Sequence, residues 1–131
     1  VEAGRLRFFR KTIGETNPVY CDRGEARRAG FSELPVPPTY LFCLEMMDAD
    51  DPLAFLDDLR IDISDILHGE QSFSYRAPVC VGDMLTFHTT VSDVTDKKDG
   101  ALTLVTMTTL ITNQAGLNVA EATRVVIVLN R

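Results

Sequence analysis

Between Pro37 and Met47 the chain is almost wholly apolar, with Thr39 and Glu45 its only clearly polar residues. Pro37 and Pro38 suit the first turn of a helix, where no amide donor is needed. Behind them come Tyr40-Leu41-Phe42-Cys43-Leu44 and then Met46-Met47. A helix that is apolar around most of its girth has to be enclosed on most sides. In a chain of 131 residues, only a sheet curling around the helix can supply that enclosure.

The second half of the chain supplies such a sheet, because beyond Ser64 the apolar period changes to two. Gln71 to Val79 alternates, with Phe73, Tyr75, Ala77 and Val79 on one face and Ser72, Ser74 and Arg76 on the other. Val81-Gly82-Asp83 reads as a turn. Met84 to Val94 alternates again, placing Leu85, Phe87 and Val91 inward and Thr86, His88 and Thr90 outward. Lys97-Lys98-Asp99-Gly100 is a hairpin turn. Gln114-Ala115-Gly116 joins two further strands, 101–113 and 117–130. Both are rich in Val, Leu, Ile and Thr on their two faces, as central or interface strands are.

The first half is helical. Arg5 to Ile13 predicts a short amphipathic helix with Leu6, Phe9 and Ile13 on one face, stopped at Gly14. Asp22 caps a second short helix that runs through Ala29 and stops at Gly30. The acidic stretch from Asp48 to Asp58 holds a third, Pro52 to Leu56, turning Phe55 and Leu56 inward or across an interface. The sum is one α+β domain over 1–131: a buried helix followed by a long antiparallel meander that wraps it. That arrangement is the hot-dog fold.

Composition narrows the function classes. A net charge of −6 repels phosphate backbones and argues against nucleic acid as a partner. No apolar run approaches the ~20 residues that span a bilayer, so no membrane association is expected. No apolar core follows a basic start, so no signal peptide is expected either, and the predicted location is the cytoplasm. Cys21, Cys43 and Cys80 are far apart, and His68 and His88 do not sit at zinc-ligand spacing. Buried free thiols and no metal are the expectation.

The segment Gly14-Glu15-Thr16-Asn17-Pro18-Val19-Tyr20 resembles the Gly-Asp-x-Asn-Pro-x-His motif of the MaoC-like (R)-specific enoyl-CoA hydratases and 3-hydroxyacyl dehydratases. His68-Gly69-Glu70-Gln71, Arg76-Ala77-Pro78-Val79 and Gly82-Asp83 are similar to the same superfamily. So is Pro35-Val36-Pro37-Pro38-Thr39-Tyr40, which resembles its N-terminal, FAS1-like dehydratase-domain branch. The order and spacing of these pieces carry the resemblance, from about Val1 to the last strand. It implies reversible hydration of an enoyl or 3-hydroxyacyl thioester of coenzyme A or acyl carrier protein, with no cofactor beyond that carrier. Water is a poor nucleophile, so a base must take its proton while an acid delivers one to the alpha carbon. Charge growing on the thioester oxygen needs a donor aimed at it, as a backbone amide at a helix N-terminus is.

The sequence departs from the motif where the chemistry is done. Glu15 stands at the Asp position and Tyr20 at the His position, while Asn17 is retained. A phenol, with a pKa of about 10, is a poor base at neutral pH. Where catalytic members resemble one another in a Gly near the start of the buried helix, this chain reads Pro37-Pro38, and proline has no amide to give. Two readings follow from the resemblance. The chain is a non-catalytic subunit that shapes the acyl tunnel beside a catalytic MaoC-like partner. Alternatively it is a dehydratase with a rearranged site, in which Glu15, Asn17 and Tyr20 do the catalytic work. The first is favoured, because a shared fold does not bring its chemistry along.

Substrate-binding roles are expected for Thr39, Tyr40, His68 and Arg27, the last with Arg23 and Arg28 as a guanidinium clamp for phosphates. The plainer readings are a packing role for Tyr20 and Tyr40, a turn for His68 and a solvated helix face for the arginines. A pure acyl-thioester-binding module is a third possibility, and thioester hydrolysis a fourth. Hydrolysis finds no acidic residue early on the buried helix; Glu45 lies near its C-terminal end. One sheet face and an edge strand would be left open in a lone subunit. A homodimer, or a heterodimer with a catalytic MaoC-like subunit, is therefore expected.

Overall fold

The computed structural model describes residues 1–130. Four helices, α1 (Ala3–Thr12), α2 (Arg23–Arg28), α3 (Tyr40–Asp48) and α4 (Ala54–Leu59), precede four strands. The strands are β1 (Ile66–Tyr75), β2 (Thr86–Lys97), β3 (Leu102–Thr112) and β4 (Asn118–Leu129). The helical first half and stranded second half are as the sequence implies.

The sheet is not a sequential meander. Its order is β1-β4-β3-β2, so β1 pairs with β4 rather than with β2. The link between β1 and β2 cannot turn back tightly, because it is stitched to the approach to α3. Val36 donates to the Val79 carbonyl and Val81 to the Leu34 carbonyl, both at 2.9 Å. This order makes β3 and β4 the central strands, which is why both are apolar on two faces. The hairpin at Lys97–Gly100 forms where expected, with Lys98 and Asp99 both at positive φ.

β1 starts at Ile66, earlier than the alternation of residues 71–79 suggests, so His68 is a strand residue and not a turn. The register breaks between His68 and Glu70, leaving Gly69 in a bulge. The bulge needs glycine: a Cβ there would lie 2.8 Å from both Cγ1 and Cδ1 of Ile127.

The helices are shifted relative to their patterns, each for a local reason. α1 begins at Ala3 because the Glu2 carboxylate accepts from the amides of Gly4 and Arg5 at 2.6 and 2.8 Å. Leu6 is buried and Phe9 packs on the core, but Ile13, just past the end, is exposed. α4 begins at Ala54 and ends on Arg60, in the left-handed region at φ 56°. The cysteines also divide: Cys80 is buried, Cys43 half-buried and Cys21 exposed, so the expectation of buried thiols fails at Cys21. Burial pushes the Cys80 and Cys43 thiols up from their ordinary value.

α3 lies on the sheet with Tyr40, Leu41 and Leu44 buried, Phe42, Cys43 and Met46 half-buried, and Met47 exposed. It is thus less enclosed than its composition demands, because short α1 covers only part of its outer side. Phe9 of α1 reaches the Tyr40 ring with centroids 4.9 Å apart. An Arg5–Asp48 ion pair links the start of α1 to the end of α3. Each fully buried leucine here contributes about 1.5–3 kcal/mol relative to an exposed one. Two apolar clusters result. One gathers α3 and the Ile111 end of the sheet; the other joins Val105, Met107, Val126 and Val128 to Phe55 of α4.

Candidate functional site

The Glu15–Tyr20 bend is a closed piece of local structure. The Glu15 carboxylate accepts from the Asn17 amide at 2.7 Å. The Asn17 side chain in turn accepts from the Val19 amide at 3.1 Å, capping the 3-10 turn Pro18–Tyr20. Asn17 is exposed, and Glu15 and Tyr20 are half-buried.

Tyr20 alone of the three reaches a cavity. That cavity, of about 360 Å³, lies at the N-terminal end of α3, with Pro38, Leu41, Tyr75 and Arg76 among its walls. The amide at that helix end belongs to Thr39, which the run Pro37-Pro38 had hidden from view. It donates to the Tyr75 hydroxyl at 3.0 Å. Thr39 sits at φ 73°, a left-handed conformation that a β-branched residue adopts only under constraint. A donor does stand where the resemblance implies an oxyanion site, then, but a phenol of the same chain occupies it.

The other predicted site residues do not converge there. Tyr40 is completely buried in the core, where burial pushes its phenol above the ordinary value, and its hydroxyl has no partner. His68 lies against the edge of the Phe42 ring at 5.5 Å, away from the cavities at either end of α3. Arg27 is exposed on α2. Its neighbours are engaged: Arg23 bonds both oxygens of Glu33, at 3.1 and 2.9 Å, and Arg28 pairs with Glu25. Arg23 holds the Glu33 carboxyl below the usual carboxylate range, and the Leu34 amide adds to that effect. Among the described residues no group of three or more His, Cys, Asp or Glu could hold a metal ion.

A second, larger cavity of about 560 Å³ opens toward the other end of α3. It is lined by Leu44, Phe55, Leu85, Phe87 and Met107, but also by Glu45, Thr89 and Arg124. The strand register explains the polar group. Thr89 faces Thr109 across β2 and β3, while Arg124 of β4 lies between Met107 and Gln71. All point to the helix side, where Glu45 of α3 meets them. The result is a polar belt between the two apolar clusters. Nothing in the local patterns brings these residues together. The available signal was a lone Glu in an apolar helix and a lone Arg in an apolar strand.

A single antiparallel sheet with a helix lying on it is the hot-dog arrangement of MaoC-like dehydratases. Residues 1–122 match the family described as FAS1-like, dehydratase domain region, and the chain belongs to that family. A UPF0336 protein of Thermobifida fusca is 32% identical over 124 residues, covering 95% of this chain and 80% of that protein. The C-terminally truncated HadBC (3R-hydroxyacyl-ACP dehydratase) complex of Mycobacterium tuberculosis contains a chain that superimposes with TM-score 0.83. The two are 23% identical, over 97% of this chain and 87% of that one. A MaoC-like dehydratase from Rhodospirillum rubrum gives TM-score 0.72 at 26% identity, over 100% of this chain and 86% of that one.

Proposed function

We propose that this chain is the non-catalytic member of a heteromeric enoyl-thioester hydratase or 3-hydroxyacyl dehydratase. A MaoC-like partner carrying Asp and His performs the chemistry, and this chain receives the acyl group. One observation carries the proposal: the cavity at the bend is lined by no carboxylate and no imidazole. Its polar side chains are Tyr20, Tyr75 and Arg76. Neither phenol nor guanidinium accepts a proton from water readily near neutral pH. Glu15, the remaining candidate base, bonds its own turn instead of facing the cavity.

The HadBC assembly, a complex of 3R-hydroxyacyl-ACP dehydratase, supports a heteromeric partner. The reaction class needs no metal or redox cofactor, and a cytoplasmic heterodimer acting on a coenzyme A or acyl carrier protein thioester fits it. A homodimer would duplicate a cavity without a base.

Crotonyl-CoA is the direct test. The purified chain alone is expected to leave the enoyl absorbance unchanged while binding acyl-CoA in calorimetry. Hydration should appear when a MaoC-like chain with an intact Asp and His is added. Activity of this chain by itself, abolished in Glu15→Ala, would establish the self-sufficient enzyme instead. Release of free thiol would establish a thioesterase.

A further inference from the structure

The cavity beside Glu45 and Arg124 is unlike a plain hydrocarbon sleeve. Arg124 lies in its wall with only 9% of its side chain exposed, and Glu45 faces it with 14% exposed. An arginine stays charged wherever it sits and offers five N–H donors. Yet the nearest carboxylate oxygen, Glu45 Oε1, is 3.6 Å from Nη2, and the buried Nε has no partner. The same Oε1 also faces the hydroxyls of Thr89 and Thr109, each at 3.4 Å. The two hydroxyls also share a 2.8 Å bond that takes one of their two hydrogens, so Glu45 Oε1 is met by one hydroxyl and the guanidinium, both at long range. The guanidinium lies 5.5 Å from the centroid of the Phe55 ring. Burying a guanidinium with so few bonds is costly unless something else accepts from it.

We propose that this cavity takes a fatty acyl chain bearing a neutral oxygen, a hydroxyl or keto group, partway along its length. The oxygen accepts from Arg124, and a hydroxyl also donates to Glu45 or Thr89. The inference rests on the acyl-receiving role proposed above and names the class of acyl group. Charge selects the neutral group. Arg124 and Glu45 already cancel, so an added carboxylate would leave a net negative charge in a buried site. Position follows from the walls: apolar side chains flank the polar belt on both sides, with Leu44, Leu85 and Phe87 on one and Phe55 and Met107 on the other. A volume of about 560 Å³ is within the range of small-molecule sites.

Calorimetry on the full chain tests this, with lauroyl-CoA, its mid-chain hydroxylated counterparts and an omega-carboxylated counterpart as probes. At least one hydroxylated chain should bind about tenfold tighter than lauroyl-CoA, the scale of one hydrogen bond to a charged group. The double variant Glu45→Leu with Arg124→Met, which strands neither charge, should reverse that order. Should the double variant fail to fold, Thr89→Val on the exposed edge strand is expected to cut the preference about threefold. Equal binding of lauroyl-CoA and every hydroxylated chain would overturn the inference while leaving the acyl-receiving role standing. So would strongest binding of the carboxylated chain, or a preference untouched by the variants. Binding of no probe at all would remove both.

Discussion

The bend at Glu15–Tyr20 and the belt around Arg124 are both polar, but they are built in opposite ways. At the bend, each side-chain acceptor bonds an amide two residues further on, so the polar groups are satisfied by the turn they create. In the belt, Glu45, Thr89, Thr109 and Arg124 come from one helix and three strands, and the contacts of Glu45 to the other three are long. Bonds within the turn hold Glu15 and Asn17 away from the cavity walls. A buried, loosely bonded group is expensive in the empty protein and gains most from a partner. On the proposed function, the segment that resembles a catalytic motif is structural, and the loosely bonded polar region lies elsewhere.

The sharpest way to break this contrast is to disarm the belt. Arg124→Met leaves Glu45 buried without its cation and is expected to cost about 3 kcal/mol in urea unfolding. Adding Glu45→Leu should return most of that loss, since a buried pair replaced by apolar groups of similar size is often neutral. The Thr89–Thr109 bond at 2.8 Å is left intact by the pair of changes. A single-variant cost under about 1 kcal/mol would show that water reaches the belt freely, and the two regions would then not differ in kind.

A second test acts on how the belt is assembled. The bulge at Gly69 sets the register that places Gln71 opposite Arg124. Gly69→Ala drives a methyl into Ile127 and should cost about 1–3 kcal/mol, with partial rescue by Ile127→Val. No rescue would mean that the bulge backbone, not the contact, is what glycine protects.

These tests also mark what could be read from the chain beforehand. Period-two alternation located the strands, and the Lys-Lys-Asp-Gly turn and the Asp22 cap came from residues adjacent in sequence. Family resemblance rested on similarly local runs. The pairing of β1 with β4 did not, because it depends on the link at residues 76–85 being tied to Leu34 and Val36. Nor did the belt, whose strand members lie 44 to 79 positions from Glu45, as the spans Glu45–Thr89 and Glu45–Arg124 show. His68 looked like a turn residue because Gly69 follows it, and a strand bulge uses glycine for the same backbone reason.

Loss of the Asn17 cap should have a smaller effect. Asn17→Ala removes one acceptor from the 3-10 turn and is expected to cost about 1 kcal/mol, as other cap deletions do. Acyl-CoA affinity should stay as in the parent, because Asn17 lines neither cavity. A clear drop in affinity without a drop in stability would return the bend to the functional site.

The smallest effect is expected just beyond the bend, where Arg23 and Glu33 form an exposed pair. Arg23 and then the Leu34 amide hold the Glu33 carboxyl below its ordinary value. A carboxyl lowered in the folded state contributes stability above its unfolded pKa, and that contribution is lost as pH falls through the folded value. Glu33→Gln should therefore flatten the acid side of the stability profile slightly and change nothing near neutrality beyond the loss of the pair itself. Added salt should erase most of the difference, because exposed charges are screened over roughly 8–10 Å. The Glu45–Arg124 belt, shielded from ions, should keep its full cost on Arg124→Met in the same salt. Equal salt sensitivity at the two pairs would show that the belt is open to solvent ions, and would remove the reason for expecting it to seek an oxygen from a bound chain.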